Sequence, residues 1–131
     1  MEVYWMSIQK TYALILGSVL AIVGVWGLFS DSILGLFGVN LFQSILHLVA
    51  GAFGIYAGLK GTGHMYNMAL GWIAVALAVL GYIPGSKDLL LEFLNINAWT
   101  THLHLAIGVL TLAVYYATKN QGWKLINFFI F

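Results

Sequence analysis

Four long apolar stretches constrain the fold of this chain more than any other feature. They run over Ile8–Phe29, Leu41–Leu59, Met65–Ile83 and Ala98–Thr118. A helix rises about 1.5 Å per residue, so about 19 residues are enough to cross a hydrocarbon core of roughly 30 Å. Charged residues make up only 7% of the chain, whereas a soluble domain has roughly 25%. The sequence therefore predicts four transmembrane segments with lipid as their solvent.

The composition of these stretches favours helices over the strands of a membrane barrel. Barrel strands alternate apolar and polar residues over about ten positions, but these stretches are continuously apolar and contain Gly and Ala throughout. A helix also satisfies every backbone hydrogen bond within its own segment, as the membrane interior requires. We expect an all-α fold, an integral membrane four-helix bundle.

The lysines predict the orientation of the bundle. Lys10, Lys60, Lys119 and Lys124 fall on one side of the predicted helices, and Lys87 falls on the other. By the positive-inside rule, both termini are expected to be cytoplasmic. We expect a multi-pass protein of a prokaryotic inner (plasma) membrane, or of the thylakoid membrane in a photosynthetic host.

An internal repeat is visible when the sequence is aligned with itself at an offset of 57 in the numbering. Positions 15–60 then align with 72–117 without a gap, and ten positions are identical. Asp, Asn and His are scarce in this chain, so their coincidence in one register predicts a duplicated unit. The identical pairs include Asp31 and Asp88, Asn40 and Asn97, His47 and His104, and Gly51 and Gly108.

The duplication predicts the domain organisation. Residues 1–131 are expected to form a single transmembrane domain, with repeats at about 8–60 and 64–118 and an apolar C-terminal tail at 119–131. Each repeat holds two helices, so both repeats cross the membrane in the same sense and are related by a pseudo-two-fold axis along its normal. The predicted bundle therefore consists of two parallel-repeat helical hairpins.

Polar and small residues recur on one face of the second and fourth predicted helices. In a membrane helix such a face normally points toward other helices. We predict a structural polar stripe formed by Asn40, Gln43, Ser44, Gly51, Asn97, Thr100, Thr101 and Gly108. The external loops carry Asp31 and Asp88, which we expect to cap short helices or turns.

His47 and His104 lie within this stripe, and two interpretations of them stay open. In the structural interpretation, neutral imidazoles hydrogen-bond to polar side chains or carbonyls and lock the helices. In the other, two histidines at equal depth ligate a haem b, or one of them holds a chlorophyll magnesium. A small transporter or channel is a lesser alternative, because no acidic residue lies inside a predicted helix.

The remaining composition narrows the class of protein. The chain has no cysteine, and it shows no nucleophile–base arrangement, phosphate loop or zinc spacing. We expect no catalytic residues, no metal site and no enzymatic activity. Expected partners are the lipid bilayer and either a second copy or a larger membrane complex, with no nucleic acid. The leading interpretation is a structural or accessory membrane subunit of unknown activity.

The paired Asn-x6-His-Leu-x2-Gly motifs, at 40–51 and 97–108, carry a family resemblance. The chain resembles a family of small four-helix bacterial membrane proteins that is classed as a domain of unknown function. The resemblance covers roughly residues 12–118 and includes the Leu-Phe-Gly-Val-Asn run at 36–40 and the His-Met-Tyr-Asn run at 64–67. It implies the duplicated four-helix fold and brings no activity with it.

Overall fold

The computed structural model describes the backbone of residues 2–118 and the side chains of residues 8–118. The predicted tail at 119–131 lies outside the described residues. Five helices and two short strands follow in the order α1 (Glu2–Gly27), β1 (Ser32–Ile33), β2 (Phe37–Gly38), α2 (Leu41–Lys60), α3 (His64–Tyr82), α4 (Pro84–Leu94) and α5 (Ala98–Thr118).

Four of these helices confirm the predicted membrane fold. Residues Ile8–Gly27 of α1, and all of α2, α3 and α5, are long and apolar enough to cross a bilayer. Their outward faces carry large apolar side chains such as Ile22 and Phe53, which are 64% and 65% exposed. Such exposure would be costly in water, so the bundle is a membrane protein whose outer surface faces lipid.

Each membrane hairpin is held by direct contact between helix backbones. α1 packs mainly on α2, and α3 packs mainly on α5. A Cβ atom added to Gly51 would lie 2.7 Å from the carbonyl oxygen of Gly17, and one added to Gly108 would lie 3.1 Å from that of Gly71. Glycine thus lets the two backbones of each hairpin approach closely, as is common between membrane helices.

These contacts correct the gapless alignment of the two repeats. Gly27 packs on Ser44, and Gly81 packs on Thr101. The numbers of Ser44 and Thr101 differ by 57, whereas those of Gly27 and Gly81 differ by 54, as do those of Gly17 and Gly71. α5 therefore corresponds to α2 at an offset of 57, but α3 corresponds to α1 at an offset of 54. The chain between Gly81 and Thr101 is three residues longer than the chain between Gly27 and Ser44, which accounts for the difference.

The two longer connections, residues 28–40 and 83–97, together form what we call the cap. The first contains the β1–β2 hairpin, whose turn places Leu34 and Gly35 at φ values of 56° and 71°. The second contains α4, which begins with Pro84 immediately after α3 ends at Tyr82. We call the end of the bundle that carries the cap the capped end, and the opposite end the uncapped end.

The helix caps differ from the expectation for the two aspartates. Asn40 precedes α2, and its Oδ1 accepts a hydrogen bond from the Gln43 amide at 2.8 Å. Asn97 does the same for the Thr100 amide at 2.9 Å before α5. The N-cap of α4 is Ile83, so Asp88 lies inside that helix and caps nothing. The asparagines start the helices because their short side chains reach the free amides of the first turn.

Candidate functional site

The two halves of the cap exchange hydrogen bonds reciprocally. Asn40 Nδ2 donates to the Phe93 carbonyl at 2.8 Å, and Asn97 Nδ2 donates to the Leu36 carbonyl at 2.9 Å. The two donors are related by the offset of 57, and so are the two acceptors. Each connection therefore anchors the other through equivalent atoms.

Further members of the predicted polar stripe also serve the cap. Gln43 Nε2 donates to the carbonyls of Leu94 at 2.6 Å and Gly38 at 3.3 Å. Thr100 Oγ1 donates to the same Gly38 carbonyl at 3.2 Å. These bonds pair carbonyl oxygens from both halves of the cap.

A second reciprocal pair joins the hairpins nearer the uncapped end. Tyr12 on α1 shares a 2.6 Å hydrogen bond with the Thr111 hydroxyl on α5. Tyr66 on α3 donates to the Ala50 carbonyl on α2 at 2.8 Å and lies against Gly54. The two tyrosines are related by the offset of 54, and Gly54 and Thr111 by the offset of 57, so this pair follows the same correspondence as the glycine contacts.

A buried amide pair, missed by the sequence analysis, completes the uncapped end. Asn67 and Gln9 are both fully buried. Asn67 Nδ2 donates to the side-chain and main-chain oxygens of Gln9 at 2.7 and 3.0 Å, and Gln9 Nε2 donates to the Thr118 hydroxyl at 2.6 Å. The sequence signal for this pair is the polar residue Asn67, which ends the 64–67 run and borders an apolar stretch.

His47 and His104 lie between these two sets of hydrogen bonds. Each is on the buried face of its helix, with Gln43 one turn toward the cap from His47 and Gly51 one turn the other way. Both rings are half-buried, and neither hydrogen-bonds to any described part of the chain. The structural interpretation predicted such bonds and is wrong on that point. Both Nδ1 atoms are enclosed without a partner.

The two imidazoles stand on separate helices of the bundle. No Cα atom of α2 comes within 8 Å of one in α5 along their described lengths, so these helices do not pack on each other. The imidazoles lie at matching positions on the two helices, 57 apart in the numbering. Their Nε2 atoms are neither bonded nor enclosed.

Small residues, and no Asp, Glu, Lys or Arg side chain among residues 8–118, lie at the level of His47 and His104. The contacts of Ser44 with Gly27 and of Thr101 with Gly81 place Gly24 and the fully buried Ala78 near that level. Charged side chains among residues 8–118 lie in the cap or toward the uncapped end. No group of three or more His, Cys, Asp or Glu side chains converges in that part of the chain.

Other candidate residues lie away from these two histidines. His102 is exposed and hydrogen-bonds through Nδ1 to the Tyr82 hydroxyl at 2.7 Å. Asp31 contributes its main-chain carbonyl, which accepts from Asn95 Nδ2 at 3.2 Å. An open recess of about 670 Å³ lies beside Asp31 on the cap. His47 and His104 thus lie within the spans, whereas Asp31 and Asp88 lie in the cap.

Four apolar spans packed as two hairpins define a small multi-pass membrane protein. Within that class, the chain belongs to the DUF4383 family, a domain of unknown function, whose family model matches residues 10–117. The match covers both hairpins and agrees with the resemblance to a family of unknown function. Neither a curated protein nor a solved structure gives a match to this chain.

Proposed function

We propose that the protein is a non-catalytic accessory subunit that packs laterally against itself or a larger membrane complex. The observation that carries this proposal is the use of the polar stripe. Asn40, Gln43, Asn97 and Thr100 all donate to backbone carbonyls of the cap. Such bonds hold the fold together and perform no chemistry, and the exposed surface of the four spans is predominantly apolar.

The reciprocal hydrogen bonds support the predicted duplication. They join two hairpins at both ends, through asparagines in the cap and tyrosines nearer the uncapped end. Hydrogen bonds at both ends hold the two hairpins in a fixed arrangement. Packing contacts drive the association of helices in lipid. A bundle held together in this way is suited to stable lateral packing against another membrane protein.

Site-specific crosslinking in native membranes tests the accessory role. The chain has no cysteine, so a benzophenone maleimide on Phe53→Cys would report the neighbours of one lipid-facing position. We expect a discrete crosslinked species larger than the 14.4 kDa chain. Ala13→Cys, at a fully buried position, is the matched control and should give none. Capture of lipid alone at Phe53 and at Ile22→Cys would contradict the proposal.

We further propose that the uncapped end is cytoplasmic in a prokaryotic plasma membrane, on the basis of the lysine distribution. Single cysteines at Thr62, in the short turn before α3, and at Ser86, in α4, test this. A membrane-impermeant maleimide added to intact cells should label Ser86→Cys and spare Thr62→Cys. The reverse pattern would invert the proposed orientation.

A haem or chlorophyll at His47 and His104 is the second candidate, favoured by two unbonded imidazoles. The surroundings fit a haem less well than they fit a neutral molecule. Metal-ligating imidazoles usually donate their other ring N–H to a carbonyl or carboxylate, and both Nδ1 atoms here have no partner. Lys87 is the one cation in the described cap for two propionates. A Soret or chlorophyll band in protein from native membranes, lost in His47→Ala, would support this candidate, and colourless protein would remove it.

A further inference from the structure

We propose that the recess beside Asp31 binds the headgroup of an ethanolamine phospholipid, with the ammonium group against the Asp31 carboxylate and the phosphate at the start of α2. This inference goes beyond the accessory role and does not depend on it. It rests on the position of the recess at the end of two spans, on the free acceptors in its wall, and on an exposed carboxylate that forms no ion pair.

The recess lies where two membrane spans end. Gly27, the last residue of the first span, and Leu41, the first residue of the second, are both in its wall. When the spans cross a bilayer, the recess is therefore at the boundary between the hydrocarbon core and the headgroup region. Leu28 and Leu41 are exposed, so acyl chains can pack beside the recess. Its volume of about 670 Å³ is within the roughly 300–1,000 Å³ of small-molecule sites.

The side chains in the wall offer acceptors rather than donors. The Nδ2 atoms of Asn40 and Asn95 donate to carbonyls of the cap. The Ser30 hydroxyl donates to the Ser32 carbonyl at 2.7 Å. The carboxylate of Asp31 and the Oδ1 atom of Asn95 accept no hydrogen bond among the described residues. A primary ammonium group has three donors and no acceptor, so it complements this set.

The charge of the recess also favours a cation. Asp31 is the charged residue in its wall, and its exposed carboxylate forms no ion pair within the described chain. Phe29 lines the recess as well and is 86% exposed, and the face of an aromatic ring attracts a cation. An ammonium group would supply the counter-charge of the carboxylate and donate a charge-assisted hydrogen bond to it.

The start of α2 provides for the phosphate. The first amides of a helix have no partner within the helix, and the Asn40 side chain accepts from one of them, that of Gln43. The amides of Leu41 and Phe42 remain free, and no acidic residue lies in this first turn. Such a helix start favours phosphate. The recess thus joins a negative side chain to a positive helix end, which matches the two charges of a zwitterionic headgroup.

The second half of the cap supplies a matched control. There α3 is followed at once by α4, which begins at Pro84, and Ser86 Oγ donates to the Leu80 carbonyl at 2.6 Å. Asp88 corresponds to Asp31 at the offset of 57, but it lies on α4 and outside the wall of the recess. An exposed carboxylate of the same cap can therefore be neutralised without changing the recess.

The experiment titrates the full chain in mild detergent with palmitoyl-oleoyl phosphatidylethanolamine and measures bound lipid by native mass spectrometry. Phosphatidylglycerol with the same acyl chains lacks the ammonium group and is the reference lipid. We expect the parent protein to bind phosphatidylethanolamine roughly ten-fold more tightly, and Asp31→Asn to lose roughly ten-fold in affinity, the loss of one charge-assisted hydrogen bond. Asp88→Asn should bind like the parent protein. Phe29→Leu should lose roughly two- to five-fold, the loss of an exposed cation–π contact.

Two further measurements separate a lost ligand contact from other effects. The Asp31 side chain makes no bond in the fold, so Asp31→Asn should unfold in SDS like the parent protein, and Asp31→Glu should keep part of the affinity. Free O-phosphoethanolamine, which has both charges but no acyl chains, should bind far more weakly, and equal binding would overturn a lipid as the source of the headgroup. The proposal is also overturned if the folded parent protein binds both lipids equally, or if Asp31→Asn and Asp88→Asn bind phosphatidylethanolamine with the same affinity.

Discussion

The interface inside each hairpin and the interface between the two hairpins are built in different ways. Inside a hairpin, glycines such as Gly17 and Gly51 bring one backbone against another. Between hairpins, single side chains cross over, as those of Tyr12 and Tyr66 do, and hydrogen-bond to the opposite half. Contact between helix backbones thus defines each hairpin, whereas side chains join the two hairpins, through hydrogen bonds and through an apolar cluster that includes Ala13, Leu16 and Tyr66.

The two kinds of interface should also differ in strength. Forcing extra atoms into a packed interface costs about 1–3 kcal/mol and sometimes more, whereas an interhelical hydrogen bond in a membrane averages about 0.6 kcal/mol. Substitutions at the glycines should therefore cost more than substitutions at the crossing polar groups.

The largest expected effect is at the glycine contact within a hairpin. Gly51→Leu would place side-chain atoms on the α1 backbone, where a Cβ already lies 2.7 Å from the Ala21 nitrogen. We expect it to lower the free energy of unfolding, measured by SDS titration in mixed micelles, by about 3 kcal/mol, and Gly108→Leu to do the same in the second hairpin. Gly85→Leu is the control, because no atom lies within 4 Å of its added Cβ. Equal stability of the Gly51 and Gly85 variants would break the comparison.

The buried amide pair between hairpins should rank second. Asn67→Leu removes two hydrogen bonds to Gln9 and should cost about 1–2 kcal/mol in the same titration. The double variant with Gln9→Leu should cost less than the two single variants together, because both remove the same bond. Strictly additive costs would show that the two amides do not act together.

The reciprocal cap bonds should give smaller and matching effects. Asn40→Ala and Asn97→Ala each remove one helix cap and one bond to the opposite connection. We expect each to cost about 1 kcal/mol. A clear inequality between them would argue that the two halves of the cap are not equivalent.

The smallest effect on stability is expected in α4, which has no buried residue. Spin labels on Phe93→Cys and Asp88→Cys should leave the free energy of unfolding within roughly 0.5 kcal/mol of the parent. Phe93 is 63% exposed and apolar, so its label should collide with oxygen in the bilayer interface. The Asp88 label should collide with a water-soluble nickel chelate. Matching profiles at both positions would show that α4 does not lie at the membrane surface.

The sequence predicted features that depend on local composition. The four spans follow from uninterrupted apolar runs, and the end of α3 follows from Pro84. The places of His47 and His104 within the second and fourth spans were likewise predicted from their common spacing after Asn40 and Asn97. A shared site for the two rings stays a prediction.

Features that depend on packing could not be predicted in the same way. The identity of Gly24 and Gly81 suggested that α1 and α3, the first helices of the two hairpins, also correspond at the offset of 57. In the structure, however, Gly24 packs on Leu48 and Gly81 packs on Thr101. Which turn of one helix meets its neighbour depends on side-chain volumes across the contact, and identities at one offset do not contain that information. The amides of Gln9 and Asn67 were missed for a similar reason, because they are far apart in the sequence and meet only in the folded bundle.

The unlike connections of the cap have a consequence for assembly. The spans of the two hairpins correspond closely, but one connection is a strand turn and the other is a helix with three more residues between matched positions. A partner that packs on the lipid-facing side of the bundle meets two nearly identical surfaces per chain, one on each hairpin. A partner that binds over the cap meets only one such surface per chain. The stoichiometry of a complex would therefore show from which side the partner binds.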